Sequence, residues 1–102
     1  MKPPIDFTRI FDRKKYSVRA SVMIASDDFW DGHNWERQGR NRFLYRTSKG
    51  AYFLVTLTRW QNEQDTLKPV TLDEAMNLYE TTLTEHDVSY AEAFPGVEVT
   101  EA

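Results

Sequence analysis

The chain has 102 residues, no cysteine and a formal net charge of −3. That is one domain's length, enough to bury roughly two thirds of the unfolded surface without staples, and the missing cysteine excludes disulfides, a thiol nucleophile and thiolate zinc sites. At 40% hydrophobic residues the composition is too apolar for a disordered chain, and no apolar run approaches the roughly 20 residues that span a bilayer.

The opening Lys2-Pro3-Pro4-Ile5-Asp6 lacks the apolar core of a signal peptide, so the expectation is a single cytoplasmic domain over residues 1–102 with no membrane partner. Pro3 and Pro4 favour extended backbone. Ile5, Phe7, Ile10 and Phe11 make the lead-in apolar enough to dock, and Arg13-Lys14-Lys15 is a short basic step. From Tyr16 the chain alternates. Tyr16, Val18, Ala20, Val22 and Ile24 fall on one side, and Ser17, Arg19, Ser21 and Met23 on the other. Period two with β-branched residues predicts a half-buried strand over 16–24.

Residues 26–41 carry glycines, aspartates and asparagines at close intervals and read as a long loop. Loops of that length are usually functional or mobile. Next come two aromatic and β-branched runs, 42–47 and 51–59, joined by Ser48-Lys49-Gly50. They predict a β-hairpin, with Gly50 supplying the positive φ of the turn. Tyr52, Leu54 and Thr56 alternate with Phe53, Val55 and Leu57. Apolar residues on both faces mark a central strand.

Residues 61–69 read as a polar connector. Thr71-Leu72-Asp73-Glu74 is a capping box, and Leu72, Ala75, Met76, Leu78, Tyr79 and Leu83 follow at helical spacing, predicting a helix over 72–83. A second box, Ser89 to Glu92, opens a short helix over 90–94, stopped by Pro95-Gly96. Strands followed by helices predict an α+β fold: an antiparallel sheet of at least three strands with the helices packed on one face.

No triad context, glycine-rich phosphate loop or established metal spacing is present. Asp27, Asp28, Asp31 and Glu36 surround His33, but the frame matches no ligand pattern, so turn chemistry is expected of these aspartates and no cofactor or metal is implied. His86 follows the long helix, a common structural placement for histidine.

The mild net charge conceals a division. Residues 1–60 carry 12 Lys and Arg against 6 Asp and Glu, a net +6. Residues 61–102 carry one Lys against 10 Asp and Glu, a net −9. The basic part interleaves with aromatics, and this selects Trp30, His33, Trp35, Arg37, Arg40, Arg42 and Arg46 as the candidate binding residues. Trp and Arg dominate protein hot spots, and aromatics with arginines also stack bases and neutralise phosphates. In a purely structural role, Trp30 and Trp35 would pin the loop to the core.

The hairpin strand Leu44-Tyr45-Arg46-Thr47, its turn ending in Gly50 and the aromatic strand Tyr52-Phe53-Leu54 resemble a motif of small uncharacterised bacterial proteins. A Tyr-led segment (16 to 25) precedes the hairpin there and a Pro-led capped helix (69 to 83) follows it. Many such proteins look like accessory proteins of phages, plasmids and other mobile elements. The resemblance implies the hairpin-then-helix layout and no particular chemistry.

The expectation is therefore a non-enzymatic binding domain. Its partner is a protein or a second copy of the chain, engaged through the aromatic-basic loop and hairpin. Two alternatives are a nucleic-acid-associated regulator using the same stretch, and an inhibitor of a nucleic-acid-handling complex acting through Asp73, Glu80 and Glu85 on the acidic helices.

Overall fold

The computed structural model describes residues 2–27, 40–58 and 62–102. The fold is α+β, as the element order predicts. Strands β1 (Thr8–Phe11) and β2 (Lys14–Ser17) form a two-stranded antiparallel ribbon. Strands β3 (Ser21–Ser26), β4 (Arg40–Thr47), β5 (Tyr52–Thr58), β6 (Thr66–Val70) and β7 (Glu85–His86) form a five-stranded antiparallel sheet, in the order β6-β5-β4-β3-β7. Helix α1 (Leu72–Asn77) runs into a π-helical turn (Leu78–Thr82), and α2 (Tyr90–Ala93) follows β7.

The β4–β5 hairpin is the centre of the sheet. Seven residue pairs run from Arg40↔Thr58 to Arg46↔Tyr52. Gly50 adopts φ 86° in the turn, a conformation that costs any residue with a Cβ. Both faces of β5 are covered. On one, Leu44 and Tyr52 pack with Ala75, Tyr79, Leu83 and Phe94 from the helices. On the other, Phe43, Phe53, Val55 and Leu67 pack with Phe7 and Val18 from the N-terminal segment. The helices thus lie on one face, and the lead-in docks on the other through Phe7.

Four expectations need correction. The single strand over 16–24 is two strands separated by a turn at 18–20, where Ser21 N–H donates to the Val18 carbonyl (3.2 Å). Its alternation fails at Val22, which is 58% exposed. A bulge at Ile24, between the pairs Met23↔Tyr45 and Ala25↔Leu44, then turns both Ile24 and Ala25 towards the helices. Second, Ser26 closes β3 and Arg40-Asn41 open β4, so the loop expected over 26–41 is shorter at both ends; residues 28–39 lie outside the described residues.

Third, the polar connector contains β6, with Leu67 buried against Val55. Pro69 fits there because β6 is an edge strand, where a missing N–H breaks no ladder. Fourth, the helix over 72–83 is α-helical only to Asn77 before the π turn, closed by Leu83 N–H to the Leu78 carbonyl (2.8 Å). Ala75, Tyr79 and Leu83 are all buried at four-residue spacing. In an α-helix that stripe drifts by about 40° per step; a wider turn cancels the drift and keeps all three on the sheet.

Both capping boxes form. Glu74 N–H donates to Thr71 Oγ1 (3.1 Å) while Thr71 N–H donates to Glu74 Oε1 (2.8 Å), and Ser89 with Glu92 repeats the arrangement. The short helix ends at Ala93, with Phe94 as its C-cap.

Candidate functional site

Among the candidate binding residues, Trp30, His33, Trp35 and Arg37 lie outside the described residues. Arg40, Arg42 and Arg46 alternate along β4, and their surroundings differ. Arg40 grips the Glu63 carboxylate with two nitrogens, its Nε donating to Oε1 at 3.0 Å. Thr58 Oγ1 also donates to Glu63 (2.7 Å), and the Arg40 and Thr58 bonds together hold that carboxyl below its usual range. Arg42 Nε lies 3.5 Å from Asp27 Oδ2. Asp27 is buried and also accepts the Arg42 backbone N–H (2.8 Å). It anchors the start of β4 through contacts 14 and 15 residues along the chain, in place of the local turn chemistry expected of it. Two of the three arginines are therefore committed to carboxylates.

Arg46 is not. It sits on the helix side of the sheet, between Val22 and Tyr52 in register. Its Nε is buried without a hydrogen-bond partner, and no carboxylate pairs with its guanidinium among the described residues. Beside it opens a hollow of about 300 Å³, walled by Tyr52, Val70, Leu72 and Pro95 and floored by Gly50 and Ala51.

A second, larger hollow of about 380 Å³ lies on the other side of the Ser48-Lys49-Gly50 turn. Arg13, Lys14, Lys15 and Lys49 line it, and no acidic residue does among the described residues. None of the four makes an ion pair among the described residues. Three hydroxyls add neutral donors. Thr47 Oγ1 accepts from Ala51 N–H (3.0 Å), which leaves its own proton free to donate. Ser17 and Ser48 line the same wall. The fourth hydroxyl, Ser21, is spent on the Ser17 carbonyl (2.7 Å).

Register explains why these residues meet. The pair Ser21↔Thr47 sets the first residue of β3 against the end of β4, which carries the preceding β2 segment to the hairpin turn. Asp12 (φ 50°) and Arg13 (φ 61°) form a two-residue turn between Phe11 and Lys14, with both residues left-handed, where Asp-Gly is the favoured pair. Arg13 occupies a glycine position and lines the cleft. Asp12 shares that conformation without lining the cleft.

Sequence reasoning noted Arg13-Lys14-Lys15 without joining it to Lys49. The one available signal was a run of like charge lying before an alternating segment.

The acidic half is separate. Asp73, Glu80 and Glu85 are exposed. Tyr90 Oη donates to Glu80 (2.6 Å), which pushes the Tyr90 phenol up to about 12. His86 stacks on Tyr79 with ring centres 3.7 Å apart, and its Nε2 donates to the Tyr79 carbonyl (2.8 Å). This ring closes the end of the π turn, a structural role. Among the described residues no three His, Asp or Glu side chains converge on a metal position, and no helix is long and apolar enough to cross a membrane.

Comparison with protein families, characterised proteins and solved structures found no match to this chain.

Proposed function

We propose that this domain is a non-enzymatic binding module for single-stranded nucleic acid, which it holds at the basic end of its sheet. The observation that carries the reading is the cleft of Arg13, Lys14, Lys15 and Lys49, with four cations and no acidic lining residue among the described residues. Ammonium, guanidinium and hydroxyl groups all donate, so the complementary ligand is rich in acceptors and negatively charged. A phosphodiester backbone meets both conditions. Tyr16 lies between the two hollows and supplies the aromatic surface that single-strand sites combine with charge. The nucleic-acid alternative drawn from sequence is kept, with its phosphate contacts assigned to the β1–β2 turn and Lys49 in place of Arg37, Arg40, Arg42 and Arg46.

Fluorescence anisotropy of a labelled T12 oligonucleotide tests this. Binding at low salt that weakens steeply as salt rises supports the reading. Absence of binding at low salt overturns it, as does equal binding of polyglutamate, which assigns the cleft to an acidic protein.

The protein-partner reading takes its support from the charge division. Exposed Asp73, Glu80 and Glu85 on one copy complement the basic cleft of another. Head-to-tail contacts of that kind build rings or filaments, so light scattering at low salt distinguishes them from a monomer.

A further inference from the structure

We propose that the two hollows flanking the hairpin turn form one nucleotide-sized site, with a phosphate in the basic cleft and a guanine base against Arg46. This inference rests on the nucleic-acid reading and adds the base.

The hollows are neighbours, with Tyr16 and Ala51 lining both. Their linings differ in charge. Four cations line one, with hydroxyls beside them. The other carries a single guanidinium among Tyr52, Val70, Leu72 and Pro95, and its exposed lining is about half polar. Its volume of about 300 Å³ is at the small end of ligand pockets, which run from about 300 to 1,000 Å³. A planar base suits such a hollow; a folded peptide segment does not.

Arg46 supplies the reading head. Its Nε is buried without a partner, and the two terminal nitrogens have none among the described residues. Arg42, two residues earlier on the same strand, has Asp27, so the missing carboxylate is particular to position 46. A planar fork with free donors matches the paired acceptors O6 and N7 of guanine. Adenine offers N7 beside an amino group and thymine no neighbouring pair of acceptors, while cytosine's O2 and N3, exposed in a single strand, are the competing pair that the (TC)6 oligonucleotide tests. Gly50 lines the same hollow beside Arg46 and is required there by its positive φ; a Cβ would meet Arg46 Nη2 only at 3.7 Å, an ordinary contact.

The test measures anisotropy with labelled T12, (TG)6, (TA)6 and (TC)6, and with (TG)6 carrying 7-deazaguanine. Expected is about tenfold tighter binding of (TG)6 than of the other three, lost in the 7-deaza oligonucleotide. Arg46→Lys keeps the charge, removes the fork, and is expected to erase that preference, bringing (TG)6 down to the affinity of the other oligonucleotides. Lys14→Ala with Lys15→Ala is expected to weaken all four alike and preserve the ratio. Equal binding of the four sequences by the unaltered protein overturns the inference and leaves the nucleic-acid reading standing. If Arg46→Lys weakens T12 as much as (TG)6, Arg46 holds a phosphate and the inference also fails. If no oligonucleotide binds at low salt, the underlying reading falls and this one with it.

Discussion

Arg46 and Tyr52 face each other across the central hairpin, and only one of them has its polar atoms satisfied. Tyr52 Oη donates to the Ala93 carbonyl at 2.7 Å, joining the sheet to the short helix. Arg46 Nε is buried beside it with no partner. An orphaned buried N–H costs about 1–3 kcal/mol, whereas replacing it with an apolar group of similar shape is neutral or favourable. Arg46→Met is thus expected to raise the melting temperature, or leave it unchanged, while removing any preference for guanine. Tyr52→Phe is expected to cost about 1–2 kcal/mol, because it strands the Ala93 carbonyl. A melt lowered by Arg46→Met would mean that the guanidinium stabilises the fold.

Arg13 gives a second separation of stability from binding. Its left-handed backbone costs about 1–2 kcal/mol relative to glycine. Arg13→Gly is expected to stabilise the domain by about 1 kcal/mol in urea unfolding. The same variant is expected to weaken oligonucleotide binding and reduce its salt slope by about 0.7, one phosphate's share for a single strand. An unchanged slope would remove Arg13 from the site.

Tyr45 contributes to the basic limb of the stability curve beside Tyr79 and Tyr90, whose phenols are also raised. Burial first, and the nearby Asp87 charge second, push its phenol from 10.0 up to about 12. The unfolded chain therefore ionises this group before the folded one does. Its contribution is fully present below pH about 10 and is lost as pH rises from about 10 to about 12. Denaturant midpoints at pH 9 and pH 11.5 are expected to differ less for Tyr45→Phe than for the unaltered protein. An identical decline would assign the alkaline loss to other groups.

On the acid side Glu74 acts in the opposite sense. Hydrogen bonds from the Thr71 backbone N–H and hydroxyl lower its pKa in the folded state. The capping-box contribution is present above the ordinary carboxylate range and is lost as pH falls through the lowered value. Glu74→Gln is expected to flatten the acid limb. Thr71→Ala is expected to cost about 1 kcal/mol at neutral pH, the usual worth of an N-cap. An acid limb unchanged in Glu74→Gln would show that the box does not couple to folding.

Much of the fold was legible because its signals are local. The alternating runs around Ser48-Lys49-Gly50 and the two boxes at Thr71 and Ser89 need only near neighbours to be read. Strand β6 escaped because Leu67 is its one buried residue and Pro69 argues against a strand until an edge position is known. The break in 16–24 escaped because Val18 and Val22 continue a pattern that the chain interrupts with a turn. Locally, the basic cleft had a charge run and nothing more. Lys14 and Lys49 become neighbours only through the Ser21↔Thr47 register, a pairing no spacing rule contains. Likewise, the arginines of β4 look equivalent in sequence. Asp27 and Glu63 make them different, and neither acid is at a spacing that announces the pairing.

The most direct measurement is the salt dependence of T12 binding, compared between the unaltered protein and a variant carrying Lys14→Ala, Lys15→Ala and Lys49→Ala. A logarithmic slope of about −3 is expected for four phosphate contacts on a single strand, falling to about −1 in the triple variant. A slope near zero, or one that the triple substitution leaves unchanged, would contradict the assignment of the basic cleft as the phosphate-binding site.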